Sequence, residues 1–349
     1  MHPAKRPPHF YRSLPKVDLH RHLEGSLRFE TVRELARAHG MALPPTGQLR
    51  TMVQVHEGEP YTFENFLSKF STLRLFYRSP EIIARVTRET IADAAADNVR
   101  YLELRFTPVA LSRAQGYSLA EVMDWVIEGA RLADRDYGVT TRLIASVNRH
   151  ESLALAAQVS YLAAERIEQG IVGLDLAGNE ADFPAGPFGP IFRSARQKGL
   201  RITAHAGEWG PGENVLDALN ELEAERIGHG IRVLEHPQAL EQARRLGTVF
   251  EVCLTSNYQS GAVSDLVRHP MPEMLEKGLN VTLNTDDPSI SQISLSDEYR
   301  LAVEDLGLSL EQVRGRVLAA ARAAFLPEDE RRRLEQTLAA EFDRVLAQP

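Results

Sequence analysis

A histidine and a glutamate stand three residues apart in the segment 203–208, which reads TAHAGE. Apolar and polar positions alternate through Ala204, as in a half-buried strand, and Gly207 ends the alternation. At the end of a strand, His205 can bind a metal ion while Glu208 transfers a proton to or from a substrate. The pair alone predicts little, so other strand ends must supply further ligands.

Strand and helix patterns alternate along most of the chain. Strands are predicted at 16–22, 100–106, 142–147, 172–176, 201–205, 226–229, 250–254 and 280–284. Helices are predicted at 29–39, 62–78, 80–96, 119–137, 153–169 and 237–245, with closing helices in 297–348. Eight such units with near-continuous apolar strands predict an α/β fold, a (β/α)8 TIM barrel with extra helices, as one domain over residues 1–349.

Two segments are predicted to be irregular. Residues 1–15 are rich in proline, and residues 40–60 contain several glycines and prolines. The helix that follows has an aromatic face that includes Phe63, Phe66 and Phe70. An ordinary core face is the simpler interpretation, and a lid over an apolar ligand is the alternative, favoured by the long loop before it.

Composition and charge argue against several classes of protein. The 349 residues are 43% hydrophobic and 25% charged, as in ordinary soluble proteins, and the net charge of -8 gives no basic surface for nucleic acid. The single cysteine, Cys253, excludes a disulfide framework. The sequence has no signal peptide, no P-loop, no GxGxxG after the first strand, and no apolar run near the roughly 18 residues that span a bilayer. We expect a cytoplasmic protein that binds neither nucleic acid nor membrane.

In a barrel of this kind the active residues lie at the carboxyl ends of the strands. The first strand ends in His20 and His22, and their i, i+2 spacing directs both side chains to one face. The other strand ends carry His205, Glu208, His229, Asp286 and Asp287. Three imidazoles and one carboxylate suit Zn2+ and leave a position for water. Spacing assigns His20 and His22 to the ion but leaves open how His205 and His229 divide the other roles.

Each of these residues has a simpler interpretation when taken singly. A strand-end histidine is more often structural, and Asp-Asp-Pro is a common turn in which Pro288 begins a helix. Their coincidence at strand ends that face one site favours a function. Five further histidines are predicted to be structural or on the surface: His39, His56, His150, His236 and His269.

Several segments resemble the signature segments of the adenosine deaminase family. They are 15–25 (PKVDLHRHLEG), 175–180 (DLAGNE), 205–208 (HAGE), 227–230 (IGHG) and 284–288 (NTDDP). The similarity runs in the family's order from about residue 10 to about residue 345. The family consists of (β/α)8 barrels with one catalytic zinc, so the resemblance implies the same fold that the alternation predicts.

The resemblance also implies a role for each catalytic position. Glu208 matches the carboxyl group that protonates purine nitrogen N1 during attack at C6. His229 matches the residue that orients the attacking water and helps to move its proton. The implied zinc ligands are His20, His22, His205 and Asp286.

Three further residues match positions that contact the substrate. Asp287 and the backbone amide of Gly178 would contact N7 and N3 of the purine, and Glu24 would lie near the 5′ end of the ribose. Family members commonly have an aspartate in place of Glu24, so the 5′ contact is one carbon longer here. Asn179 replaces an acidic residue that often follows the glycine.

Hydrolytic deamination of a 6-aminopurine makes demands that these residues meet. The attack needs a strong nucleophile at neutral pH, which Zn2+ provides by lowering the pKa of bound water to about 7. The ring must accept a proton, and a carboxyl group kept protonated in an apolar pocket can supply it. We therefore expect a zinc-dependent aminohydrolase, with one Zn2+ per chain, that converts adenosine to inosine and ammonia.

Other chemistries fit the sequence less well. Two-metal barrels have a bridging lysine at the end of strand four, and 175–179 contains none. The H-x-E and P-C-x-x-C signature of cysteine-rich deaminases is absent. A pyrimidine deaminase would share the metal ligands but would not need Gly178 and Asp287. A metal-stabilised binding module would have lost Glu208 or His229.

Within the family, the substrate stays open. Segments 101–105 (YLELR) and 251–257 (EVCLTSN) resemble the adenosine deaminase-like subgroup. Members there or nearby act on N6-methyl-AMP, and other bacterial relatives act on 6-aminodeoxyfutalosine. An anionic 5′ group would need a cationic partner, for which Arg74, Arg78 and Arg149 are candidates, although solvated surface arginines are an equally good interpretation.

Overall fold

The computed structural model describes residues 6–347. Eight parallel strands form one sheet in which each strand pairs with the next along the chain. The strands are β1 (Lys16–His22), β2 (Val99–Phe106), β3 (Thr140–Asn148), β4 (Ile171–Ala177), β5 (Arg201–Ala206), β6 (Arg226–His229), β7 (Val249–Val252) and β8 (Asn280–Leu283). The predicted (β/α)8 barrel is confirmed.

The barrel closes where the chain beyond β8 meets β1. The N–H of Asp286 donates to the carbonyl of His20, and the N–H of His22 donates to the carbonyl of Asp286, each at 2.8 Å. Before this bridge, Oδ1 of Asn284 accepts the N–H of Leu19 at 2.9 Å, so a side chain continues the ladder. The residues that close the barrel therefore include three of the predicted metal ligands.

Helices surround the barrel and fill its longer connections. They are α1 (Pro8–Ser13), α2 (Phe29–Ala38), α3 (Thr46–Val53), α4 (Phe63–Leu73), α5 (Pro80–Ala96), α6 (Pro108–Arg113), α7 (Leu119–Tyr137), α8 (Leu153–Ala164), α9 (Gly189–Gln197), α10 (Glu213–Glu221), α11 (Pro237–Leu246), α12 (Leu254–Gln259), α13 (Met271–Glu276), α14 (Pro288–Ser291), α15 (Leu295–Glu304), α16 (Leu310–Ala323) and α17 (Glu328–Leu346). Among residues 6–347, no helix is both long and apolar enough to cross a membrane.

The two segments predicted to be irregular each contain a helix, so those predictions were wrong in part. α1 lies within 1–15, and α3 lies within 40–60. Pro8 occupies the first turn of α1, and Pro45 immediately precedes α3. At the start of a helix the missing N–H of proline costs no hydrogen bond, so proline favours these helices rather than breaking them. Residues 1–5 lie outside the described part of the chain.

Several predicted elements end earlier than expected, and two of them lie close to the site. The strand predicted at 250–254 stops at Val252, and Leu254 begins α12. The carboxylate of Glu298 accepts the N–H of Leu254 at 2.6 Å and thereby stabilises the start of that helix. The helix predicted at 62–78 is α4, followed by a short 3-10 turn over Arg74–Phe76.

Paired charges lie inside the barrel beneath the strand ends. Arg105 contacts Glu251 at 2.7 Å (Nη2 to Oε2), and Arg226 contacts the other oxygen of Glu251 at 2.6 Å (Nε to Oε1). Arg105 also lies 3.5 Å from Asp175, measured from Nη1 to Oδ1. All four side chains are almost fully buried. Because buried charges need charged or hydrogen-bonding partners, this network fixes Glu251 and Asp175 below the histidines.

Candidate active site

Four predicted ligands meet at the carboxyl end of the barrel. His20 and His22 end β1, His205 lies in β5, and Asp286 follows β8. Oδ1 of Asp286 lies 3.1 Å from Nε2 of His20 and 3.3 Å from Nε2 of His22, and Nε2 of His22 lies 3.2 Å from Nε2 of His205. One ligand atom from each residue falls within 4.8 Å of all the others, a spacing that can hold a metal ion.

The proton positions at this cluster favour a cation. Nδ1 of His20 is 2.9 Å from the carboxylate of Glu251, and Nδ1 of His205 is 3.2 Å from that of Asp175. A carboxylate accepts the Nδ1–H, so in the neutral rings each Nε2 carries a lone pair. Lone pairs and a carboxylate oxygen that face one another repel unless a cation lies between them.

The donor set and its spacing fit zinc. Bonds of about 2.0–2.1 Å in a tetrahedral zinc site place neighbouring ligand atoms roughly 3.3 Å apart. The three separations given above, which involve Asp286, His20, His22 and His205, are close to that value. Burial alone would raise the pKa of Asp286, but the surrounding imidazoles hold it well below its usual range, so this ligand is ionised.

His205 and His229 differ in the group that contacts their Nδ1 atom, and this difference separates their roles. In His205 that group is a carboxylate, which leaves Nε2 free to bind an ion. In His229 it is the amide nitrogen of Asn257, at 3.0 Å. Nε2 of His229 points into the same site, 3.6 Å from Oε2 of Glu208 and 3.8 Å from Oδ2 of Asp286.

Two site residues have strained backbone conformations. His229 has a φ of 58° and Asp286 a φ of 63°, in the left-handed region that side chains other than glycine rarely adopt. Such conformations cost roughly 1–3 kcal/mol each and are found mostly at functional sites. Both residues stand at the point where a strand ends, and the turn directs their side chains towards the cluster.

Glu208 is held by a carboxylate that the sequence analysis did not single out. Oε1 of Glu180 accepts the N–H groups of Glu208, Trp209 and Gly210 at 2.6–3.0 Å. Its Oε2 accepts the N–H of Gly207 at 2.8 Å. Glu180 thus fixes the whole turn after β5. Burial raises the pKa of Glu208 well above its usual range, and the nearby charges of Asp286 and Glu180 raise it further.

Asp287 points into the site rather than capping the helix that it precedes. It makes no side-chain cap for α14, and its buried Oδ1 has no hydrogen-bond partner in the described chain. Burial and the charge of Asp286 raise the pKa of Asp287 well above its usual range. A Cβ at Gly25 would lie 1.7 Å from Oδ1 of Asp287, so only glycine fits there.

Most of these side chains line one cavity at the carboxyl end of the barrel, among them His22, His205, Glu208, His229, Asp286 and Asp287. Gly178, with a φ of 92°, and Glu24 also line it. Phe66 and Phe70 of α4 cover the other side. The aromatic face thus packs in the core, as the simpler interpretation predicted, and Phe66 and Phe70 also line the cavity. The lid stays a prediction.

Two other features are weaker candidates. A second group of potential ligands combines His20, His229 and Asp286 with Cys253. Burial raises the pKa of the Cys253 thiol well above its usual range, which disfavours the thiolate that a metal would bind. A hollow lies elsewhere on the chain, beside the ion pair of Arg28 with Asp93, but its described lining contains no histidine.

Some of the residues that hydrogen-bond to the site residues had features in the sequence that could have identified them. Asp175 and Glu251 are acidic residues within otherwise apolar strands, where a charge needs a buried partner. Glu180 ends the segment DLAGNE, which was noted for its resemblance only. Asn257 ends the segment EVCLTSN, which was likewise noted for its resemblance only, and His269 was predicted to be structural or on the surface.

Comparisons with known proteins agree with this site. Residues 15–341 match the family model described as adenosine deaminase. The adenosine deaminase of Erwinia tasmaniensis is 38% identical over 330 residues, which cover 94% of this chain and 98% of that protein.

Three solved structures, each 29% identical, are similar over most of their length. A zinc-bound COG1816 amidohydrolase from Burkholderia ambifaria has a TM-score of 0.87 and covers 97% of this chain and 93% of its own. An adenine deaminase from Arthrobacter aurescens also has a TM-score of 0.87, over 96% and 100%. The Arabidopsis N6-mAMP deaminase has a TM-score of 0.84, over 95% and 99%.

Proposed function

The chain belongs to the adenosine deaminase family, and we propose that it hydrolyses adenosine to inosine and ammonia with one bound Zn2+. The observation that carries this proposal is the meeting of an ion site, a buried carboxyl group and a neutral imidazole in one cavity. The cavity is lined by His22 and His205 of the ion site and by Glu208 and His229.

The metal would be held by the cluster described above: His20, His22, His205 and Asp286. When bound, Zn2+ supplies a Lewis acid that makes water nucleophilic at neutral pH. Glu251 and Asp175 accept the Nδ1–H of His20 and His205, which orients both rings and increases their basicity.

Glu208 supplies the proton that the purine ring needs. Attack of water at C6 breaks the aromaticity of the ring and places electron density on N1, which must then be protonated. The raised pKa of Glu208 favours the protonated form of its carboxyl group, which can donate to N1. Its position is fixed by the hydrogen bonds between Glu180 and the backbone of 207–210.

Asp287 and Gly178 suit a purine rather than a pyrimidine. The raised pKa of Asp287 keeps a proton on its carboxyl group, and that proton can be donated to N7, which only accepts hydrogen bonds. Gly178 would present its backbone N–H to N3. A one-ring base would leave the buried Asp287 without a partner.

The direct test is ammonia release by zinc-loaded protein from adenosine, adenine, AMP, N6-methyl-AMP, 6-aminodeoxyfutalosine and cytosine, measured in parallel. We expect efficient turnover of adenosine or of one of its 5′-substituted analogues. Activity on cytosine alone would contradict the roles of Gly178 and Asp287. Activity on adenine but on none of the nucleosides would contradict the role of Glu24.

One observation favours a 5′-anionic nucleotide as a second candidate substrate. Arg74 lines the cavity beside Glu24, and its buried Nε has no hydrogen-bond partner in the described chain. The other two candidate arginines are absent from the cavity lining and bind backbone carbonyls. Arg78 binds the carbonyl of Leu75, and Arg149 binds those of Phe183 and His205. A phosphate or carboxylate at the 5′ position would therefore be recognised by Arg74.

A further inference from the structure

We propose that Asn257 and His269 are positioning residues that fix the tautomer of His229, so that its Nε2 carries a proton and faces the cavity. The inference deepens the proposed function and rests on it for its catalytic consequence. The hydrogen bonds that carry it run from the main chain of α13 to the active site. In each of these hydrogen bonds, only one of the two atoms can be the donor.

The first bond fixes the proton of His269. The backbone N–H of Met271 donates to Nδ1 of His269 at 3.1 Å. A backbone N–H can only donate, so this nitrogen must carry a lone pair. Burial lowers the pKa of His269 to about 3, so the ring is neutral and its proton lies on Nε2.

The second and third bonds fix the amide of Asn257. Nε2 of His269 lies 3.2 Å from Oδ1 of Asn257, which must accept. The amide nitrogen of Asn257 is therefore turned towards Nδ1 of His229, at 3.0 Å, and donates to it. Both Asn257 and His269 are buried, so water does not compete for these bonds. The backbone N–H of Met271 thus sets the orientation of the Asn257 amide through His269.

The consequence for His229 follows directly. Its Nδ1 accepts the amide N–H of Asn257 and therefore carries no proton, so the ring is neutral and its single proton lies on Nε2. This nitrogen can donate a hydrogen bond to an attacking oxygen but has no lone pair to remove a proton. The expectation that His229 helps to move the proton of water is therefore replaced by an orienting role. Once Glu208 has given its proton to N1, its carboxylate can take a proton from the oxygen added at C6 and pass it to the amino group that leaves as ammonia.

The same logic distinguishes this histidine from the metal ligands. A carboxylate at Nδ1 gives His20 and His205 a free lone pair at Nε2, whereas an amide N–H at Nδ1 gives His229 an N–H there. Replacing Asn257 by aspartate keeps the shape of the side chain but exchanges the donor for an acceptor. In Asn257→Asp the proton of His229 should move to Nδ1.

The first test is the 15N NMR spectrum of zinc-loaded protein labelled in its histidine rings, because 15N shifts distinguish the two neutral tautomers. The resonance of His229 is identified by its absence in His229→Asn. We expect Nε2–H in the wild type and Nδ1–H in Asn257→Asp. A wild-type His229 with its proton on Nδ1 would overturn the proposal, whatever the activity of the protein.

The second test is kinetic. A catalytic histidine held in the wrong tautomer costs about 10^4 in kcat in a serine protease. We expect Asn257→Asp to lose at least about 100-fold in kcat, with KM changed little and bound zinc retained. The control is Asn220→Asp, the same chemical change at an exposed position. A kcat within about threefold of wild type would contradict the proposal.

A further variant covers the case in which Asn257→Asp does not fold. His269→Leu removes the hydrogen bond to Oδ1 of Asn257, so the amide of Asn257 can flip and exchange its oxygen and nitrogen. Both tautomers of His229 should then appear in the spectrum. A single Nε2–H tautomer would show that His269 does not set the orientation. Failure of wild-type protein to deaminate any 6-aminopurine would refute the proposed function, while the tautomer assignment would still be decided by the spectrum.

Discussion

The N–H of His22 donates to the carbonyl of Asp286 across the seam of the barrel, at 2.8 Å. The side chains of the same two residues meet at the ion site, with 3.3 Å between Nε2 and Oδ1. The backbone contact that closes the sheet and the side-chain contact that would bind zinc thus involve one pair of residues. An ion at this position links β1 to the end of β8, so metal binding and closure of the barrel should be coupled.

Removal of the metal should therefore lower the stability of the whole barrel. Binding to the native state alone stabilises a protein by about 3–4 kcal/mol when the free ion is at 100 to 1,000 times its Kd. We expect chelation to lower the Tm by several degrees and added Zn2+ to restore it, measured by calorimetry. Asp286→Asn should respond to zinc much less. An unchanged Tm after verified removal of the metal would contradict this coupling.

Glu208→Gln should abolish most of the turnover without loss of the metal. Glutamine has nearly the same shape but no acidic proton, and general acid catalysis contributes about 10^2–10^4 in rate. We expect kcat to fall in that range while the zinc content, measured by elemental analysis, stays at one per chain. Glu213→Gln, a change at an exposed position a few residues away, should leave kcat unaltered. Turnover near the wild-type rate would show that another group protonates the ring.

Glu180→Gln should weaken both stability and activity. The substitution replaces one carboxylate oxygen by an NH2 group, which cannot accept the N–H groups of the turn that carries Glu208. Hydrogen bonds to a charged group contribute about 1.5–3 kcal/mol each. We expect the free energy of unfolding, from urea titration, to fall by roughly 2–4 kcal/mol, and kcat to fall with it. Asp182→Asn, an exposed change nearby, is the control, and equal stability of the two variants would be inconsistent with the role of Glu180.

Residue spacing predicted the barrel and the convergence of His20, His22, His205 and Asp286 at one end of it. The i, i+2 rule and the position of strand ends are local properties, so a sequence can reveal them. The partners of those residues are not local. Glu251 comes to His20 from a strand more than two hundred residues away, and no pattern in the chain predicts which buried acid meets which imidazole.

The division of roles between His205 and His229 illustrates this limit most clearly. Both histidines end apolar strands and are followed by glycine within two residues. The difference lies in the atom that meets Nδ1, a carboxylate oxygen in one and an amide nitrogen in the other. Residue spacing does not supply that information: the resemblance implied the division of roles, and the folded chain shows its physical basis. Prolines were misread for a related reason, because their effect on a helix depends on the turn in which they stand.

Arg74→Met should change the choice of substrate more than the rate of the chemistry. Its unpartnered Nε lies in the cavity lining, where it can meet an anionic 5′ group. We expect kcat/KM for AMP or N6-methyl-AMP to fall by at least about tenfold, in line with the roughly 1.5–3 kcal/mol of a charged hydrogen bond. The value for adenosine should change by less than about threefold. Arg78→Met is the matched control. Equal losses for both substrates would argue against a 5′-anion site.

His269 should make the protein sensitive to acid. Burial lowers its pKa to about 3 in the folded state, whereas an unfolded histidine titrates near 6.5. Between these values the unfolded state binds more protons, so this group's contribution to stability is complete above about pH 6.5 and declines as the pH falls towards 3. The slope approaches about 1.4 kcal/mol per pH unit. Protonation would also place a hydrogen on Nδ1, where the N–H of Met271 now donates.

His269→Gln should therefore flatten the dependence of unfolding free energy on pH between about 4 and 6, whatever its effect on stability at neutral pH. Glutamine does not titrate, so the difference in slope isolates the histidine. The measurement is a series of urea titrations across that range, with His39→Gln at an exposed position as the control. Parallel curves for wild type and His269→Gln would mean that His269 is not held neutral. The hydrogen-bond chain from Met271 to His229 would then lose its anchor, because a protonated ring cannot accept the backbone N–H.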